Sequence, residues 1–389
     1  MNKRRTLANV TLAILLATSS ALSCTSVSPI WIPRDPGADP LYRYIEGGKA
    51  GYIDQTGKVV IPPVLPDQGS GYDEEFHDGL LLNWEEGYYV NTRGEKVVFE
   101  GLVPESGFSD GLALAKETRS GKLGFINTKG EFEISPRFDS RLWFSEDGIA
   151  TVEVEGRIGY INLKGEFLVQ PKFLDATGFS EGLARVVVEG PCIHFQQGSC
   201  GDSPVALPKG TKIQYRLPAC KYTFIDRSGN AIFEQTYDRA GPFREGLAPV
   251  RIGKFWGYID KKGSMVGALR FDSAEPFSDG LALVSEYGLF GYVDRNGVYA
   301  IKPQFKYAES FTEGIAAVGD ESGYWYIDRN GSGAFPGKFA EASPFFKGVA
   351  HVRLLSETPD EYGSYYSSTF AYIDRAGKIV FTYHIDPED

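Results

Sequence analysis

Between Tyr42 and about residue 384, apolar and polar residues alternate in short runs broken by turn residues. In residues 281–305, LALVSEYGLFGYVDRNGVYAIKPQF, the alternation has period two. It predicts three strands, at about 281–285, 290–294 and 298–301. Nothing between these runs carries apolar residues at helical spacing. The chain reads as all-β.

The runs recur. One motif consists of an aromatic residue, a branched residue, Asp or Asn, two variable residues and Gly. It occurs nine times, at Asp54/Gly57, Asn91/Gly94, Asn127/Gly130, Asn162/Gly165, Asp226/Gly229, Asp260/Gly263, Asp294/Gly297, Asp328/Gly331 and Asp374/Gly377. A second motif, Phe-x-x-Gly before an apolar run, interleaves with it from Phe76/Gly79 to Phe345/Gly348, and Phe144/Gly148 carries one extra residue. The closing glycines of the first motif are separated by 37, 36, 35, 64, 34, 34, 34 and 46 residues. A chain of 389 residues would otherwise suggest two or three domains of about 150 residues. The period makes it one tandem array of short three-stranded units.

Each motif residue has a mechanical role. The short Asp or Asn side chain can hold backbone amides in a turn, and Gly can take the positive φ that closes it. The aromatic ring points inward and supplies core volume. Pro136, Pro171 and Pro303, each two residues before a Phe, are expected to stop the third strand. The aspartates lack the alternating oxygens of a calcium loop, so a turn role outranks a metal role.

Charge and the N-terminus narrow the setting. The formal net charge is -11, and Lys3, Arg4 and Arg5 are the only charges in the first thirty residues. Without them 37 basic residues face 51 acidic ones, or -14. Such a surface repels phosphate backbones, and no basic run offsets it, so nucleic acid is excluded as a partner. Residues 1–5 form a basic start, 7–17 (LANVTLAILLA) an apolar core, and 18–23 a small polar stretch. That is a secretory signal over 1–23, too short to span a membrane.

The segment Ala21-Leu22-Ser23-Cys24 resembles the bacterial lipoprotein signal, in which the cysteine receives lipid and becomes the new N-terminus. Ala21 stands where that family prefers Leu, which leaves ordinary signal cleavage as the alternative. The resemblance implies lipid at Cys24, membrane contact through that lipid only, and a tether over 24–41. It also implies an envelope location, in the outer membrane if the cell has two, since Thr25 is not Asp. Gly257-Tyr-Ile-Asp-Lys-Lys-Gly263 and Phe277-Ser-Asp-Gly-Leu-Ala282 resemble the WG-repeat (KWG-repeat) family of bacterial proteins. The resemblance spans 42–386. The Trp-Gly pair survives at Trp256-Gly257, whereas Ala50, Leu123, Ile158 and Phe290 replace the Trp. It implies an all-β repeat scaffold and brings no catalytic residue and no cofactor.

Two insertions break the period, at about 190–218 and 355–368. The first holds or adjoins Cys192, Cys200 and Cys220, which allow three disulfide pairings in an exported protein. A zinc site using those cysteines with His194, or a Cys–His nucleophile pair, ranks below a disulfide. The second insertion places Tyr362, Tyr365 and Tyr366 among Ser, Gly and Asp, a composition suited to an adhesive loop. No nucleophile elbow, zinc-protease motif or phosphate loop is present, and the reading is non-enzymatic. The expected role is a surface or periplasmic binding scaffold for an envelope protein or glycan. A structural spacer is the alternative, and a carbohydrate-active or proteolytic enzyme ranks last. An open solenoid-like array is favoured over propeller-like closure, because 34 residues fall short of the 40 to 45 of an ordinary four-stranded blade.

Overall fold

The computed structural model describes residues 40–67, 76–109, 111–138, 143–144, 148–189, 220–355 and 368–385. Every described strand pairing is antiparallel, and nine repeat units follow one another along the chain. The seventh unit shows the plan. Strands Ala282–Glu286, Leu289–Val293 and Tyr299–Phe305 form a meander, and a two-residue strand, Ser273–Ala274, pairs with the first of them. The third, fourth and sixth units have the same four strands. The fourth strand corrects the three-stranded expectation, and its brevity lets four strands fit a 34-residue unit. Among the described residues unit five keeps two strands, and units eight and nine share a seven-stranded sheet through Phe339–Ala342.

The proline expectation also needs correction. Pro136, Pro171 and Pro303 lie inside the third strands Phe132–Phe138, Phe167–Phe173 and Tyr299–Phe305. Phe305 faces Phe290 while Ile301 faces Tyr292, so the third strand bulges between them. The bulge takes Pro303 out of the regular ladder, where its missing N–H costs nothing. The bulge also explains the glycine that follows the Trp position of the repeat. A Cβ on Gly291 would sit 2.5 Å from Pro303 N and 2.6 Å from Ile301 O, and Gly124 and Gly159 are crowded in the same way. That glycine serves close approach of two backbones, not turn geometry.

Sheets pack face to face, one hydrophobic cluster for each junction. Tyr292, Ile301 and Phe305 of unit seven meet Phe311, Ala316 and Val318 of unit eight. The buried motif tyrosines also tie neighbours together. Tyr89, Tyr160, Tyr258, Tyr292 and Tyr326 each donate to a backbone carbonyl seventeen residues on, at 2.7–2.8 Å.

An open array of nine units has eight junctions. Among the described residues there are nine clusters, and one of them joins Val349 and Tyr372 of the last unit to Tyr42, Tyr44 and Ile53 of the first. Tyr372 donates to the carbonyl of Arg43, and Tyr42 to that of Lys347 at 3.1 Å. Gly57 lies against Val380 of unit nine, as Gly331 lies against Ile301 of the unit before it. The all-β repeat array holds, and its sheets do not merge edge to edge into a barrel. Its ends meet, so the radial closure weighed as the alternative describes the arrangement and the open form does not.

Candidate binding face

The antiparallel register gives each unit two distinct ends. Leu247 pairs with Asp260, and Ile315 with Asp328, so the Phe-x-x-Gly turn and the Asp-x-x-Gly turn share one end. The hairpins joining first and second strands occupy the other.

At the turn end the motif Asp and Asn side chains act on the backbone. In all nine copies the Oδ1 atom accepts from the amides two and four residues on: Lys262 at 2.8 Å and Ser264 at 2.9 Å for Asp260, Ala376 and Lys378 both at 2.9 Å for Asp374. Asp54, Asp294 and Asp328 do the same. Gly57, Gly263, Gly297, Gly331 and Gly377 close these turns at φ 74–85°. The Thr56 hydroxyl and the amides beside Asp54 hold its carboxyl below the usual range.

A further set of residues at this end carries a role that the sequence reading passed over. The third residue of Phe-x-x-Gly adopts a left-handed conformation, and its carboxylate accepts the amide of the next unit's glycine. Gly111 donates to Asp78 at 2.7 Å, Gly246 to Glu181 at 2.9 Å and Gly314 to Asp279 at 2.6 Å. A cation of the next unit closes the clasp, Lys261 on Glu181 at 3.1 Å and Arg329 on Asp279 at 3.6 Å. The recurrence of Asp or Glu before that glycine was the available signal. Lys347 takes the position in unit nine, where unit one presents no such turn among the described residues.

The hairpin end is where the insertions attach. Glu189 pairs with Lys221 across the first, and the second lies between strands ending at Leu354 and starting at Ser368. Both replace the same hairpin, in units five and nine, so both leave from one end of the ring. Four units apart in a ring of nine, they stand roughly 160° apart around it. Between them Tyr287 is 91% exposed at φ 53°, and Phe255 is 46% exposed. The left-handed pair Tyr287-Gly288 closes a two-residue hairpin, as Glu155-Gly156 does in unit four, so the turn sets the backbone and leaves the ring in solvent.

Tyr362, Tyr365 and Tyr366 lie outside the described residues, as do Cys24, Cys192 and Cys200. Cys220, just before the strand Lys221–Ile225, is disulfide-bonded, and its partner lies outside the described residues. Among the described residues no group of three His, Cys, Asp or Glu could hold a metal, and no helix is long and apolar enough to cross a membrane.

Six segments, 51–67, 124–157, 158–190, 222–254, 256–289 and 290–325, match the family described as WG containing repeat. The WG segments leave out the Asp-x-x-Gly turns of units two, eight and nine, at Asn91, Asp328 and Asp374. No curated protein matches the chain. Among solved structures it is similar to one titled as a eukaryotic initiation factor, at 12% identity, covering 90% of this chain and 96% of that one with a TM-score of 0.53. It is also similar to the computationally designed Ika8 protein (10%, 71% and 85%, 0.39) and to apo AztD from Citrobacter koseri (10%, 90% and 95%, 0.40). The first likeness shows a shared fold and no activity.

Proposed function

We propose that the chain is an exported, non-enzymatic binding scaffold, lipid-anchored at Cys24, whose hairpin end captures an envelope protein or glycan. The observation that carries this reading is the attachment of both insertions to one end, with exposed Tyr287 and Phe255 between them. A rigid ring that gathers its variable loops on one face has the usual layout of a binding module. The basic and apolar start of the chain and Cys24 support export and anchoring, to the outer membrane where two membranes exist. The net charge supports a partner that is not a polyanion.

The test is capture from envelope extract and glycans by the chain from Thr25 onward. Saturable binding that weakens when 190–218 or 355–368 is deleted is the expected result. Binding unchanged by both deletions refutes the face. Cys24→Ser should release the full chain from membranes, and continued membrane partitioning rules out the lipid. The spacer alternative predicts instead that an unrelated array of equal length restores the envelope.

A further inference from the structure

Unit eight carries an arrangement found in no other unit among the described residues. Tyr307 pairs with Gly319, and Gly319 pairs with Tyr324, so two tyrosines flank a glycine across three strands. With no side chain between them the rings meet over Gly319, centroids 5.6 Å apart and planes 32° apart. A Cβ on Gly319 would come within 3.0 Å of Tyr324 Cδ1. The corresponding residues are Ser273, Ser285 and Phe290 in unit seven and Arg239, Arg251 and Trp256 in unit six, where the middle position is filled.

The platform is open and its rim is polar. Tyr307 is 47% exposed and Tyr324 half-buried. Glu309 lies two residues beyond Tyr307 and so projects to the same side of the extended chain. Burial raises the Glu309 carboxyl, with Glu275 of the preceding unit adding to it. Burial also raises the Tyr324 hydroxyl, and the charges of Tyr307, Glu309 and Glu341 push it the same way. Leu355, 48% exposed, sits against Gly323 beside the platform, at the foot of the second insertion.

We propose that Tyr307 and Tyr324, with Glu309 at their rim, form a subsite for one sugar ring of a neutral glycan. A pyranose has an apolar C–H face and a rim of hydroxyls. It matches an aromatic surface edged by carboxylate and phenol oxygens. A chain at -14 without its first thirty residues disfavours an acidic glycan. The subsite deepens the binding reading and rests on it.

The test titrates cellohexaose, maltohexaose, chitohexaose and an oligogalacturonate into the full chain, read by calorimetry. At least one neutral hexasaccharide should bind saturably below about 10 mM, and the oligogalacturonate should not. Tyr307→Ala and Tyr324→Ala should each weaken that binding by about tenfold or more. Gly319→Ala keeps both rings but displaces Tyr324, and it should weaken binding as well. Tyr307→Phe should keep most of it. Absence of binding by all three neutral probes overturns the proposal, as does preferred binding of the oligogalacturonate. Binding that survives both tyrosine changes yet falls when 355–368 is deleted overturns the subsite alone and leaves the binding face standing.

Discussion

His351 lies in the junction that closes the ring, and acid should loosen it there. It sits on the strand Val349–Leu354 in a three-ring cluster with Phe370 at 5.3 Å and Tyr383 at 5.8 Å, which lie 5.5 Å from each other, and its Nε2 lies 2.8 Å from the Tyr383 hydroxyl. Tyr383 in turn meets Tyr44 of unit one at 6.2 Å. Burial lowers the imidazole pKa from 6.5 to about 4, Glu341 opposes this, and Arg43 of unit one adds to it. A histidine depressed in the fold takes its proton after the unfolded chain has done so. Its stabilising share is therefore whole above pH 6.5 and is lost as pH falls toward 4. These two values give a loss of about 1.4 kcal/mol by pH 5.5 and about 3 kcal/mol by pH 4. Urea unfolding of wild type and His351→Gln at pH 7.5 and 5.5 isolates the effect, because carboxylates titrate mainly below that window. Gln can still meet the Tyr383 hydroxyl but cannot titrate. Wild type should lose about 1.4 kcal/mol more than the variant over the interval. Equal losses would refute the reasoning.

Two further substitutions probe the repeat itself. Tyr292→Phe deletes the 2.7 Å hydrogen bond to the Glu309 carbonyl while keeping the ring, and should cost about 1 kcal/mol in urea unfolding. Units three and five already carry Phe125 and Phe224 there, so Phe125→Tyr should recover part of that amount wherever a carbonyl is in reach. Gly291→Ala should cost about 1–3 kcal/mol in the same assay, because its Cβ meets backbone of the bulged third strand. A loss near zero would mean that the bulge can move aside.

The repeat was legible because its signals are local. Asp-x-x-Gly turns, inward rings and two-residue alternation each occupy a few consecutive residues, and the strands fall close to where they were expected. Ser273–Ala274 escaped because two residues within Phe-Asp-Ser-Ala-Glu show no alternation. Pro303 misled because a proline ends a regular ladder but not a bulged one. The acidic clasps were visible as recurring Asp or Glu, yet their partner is an amide about 33–35 residues away in most cases, beyond any local pattern. Closure was the least legible, since it depends on Tyr42 and Tyr44 meeting Tyr372 and Phe381 from the far end of the chain. The candidate face was half legible. The insertions stood out as breaks in period, but their shared end follows only from strand register. The Tyr307–Tyr324 platform needs the glycine between them in space and not in sequence.

Closure of the ring is the claim on which the shared face of the insertions depends, and one distance measurement tests it. Spin labels at Thr56 and Ala376 occupy equivalent turn positions in the first and last units, as labels at Lys262 and Asn296 do in two consecutive units. A closed ring gives both pairs the same distance distribution. A first pair much longer than the second, or spread over many distances, would contradict the account.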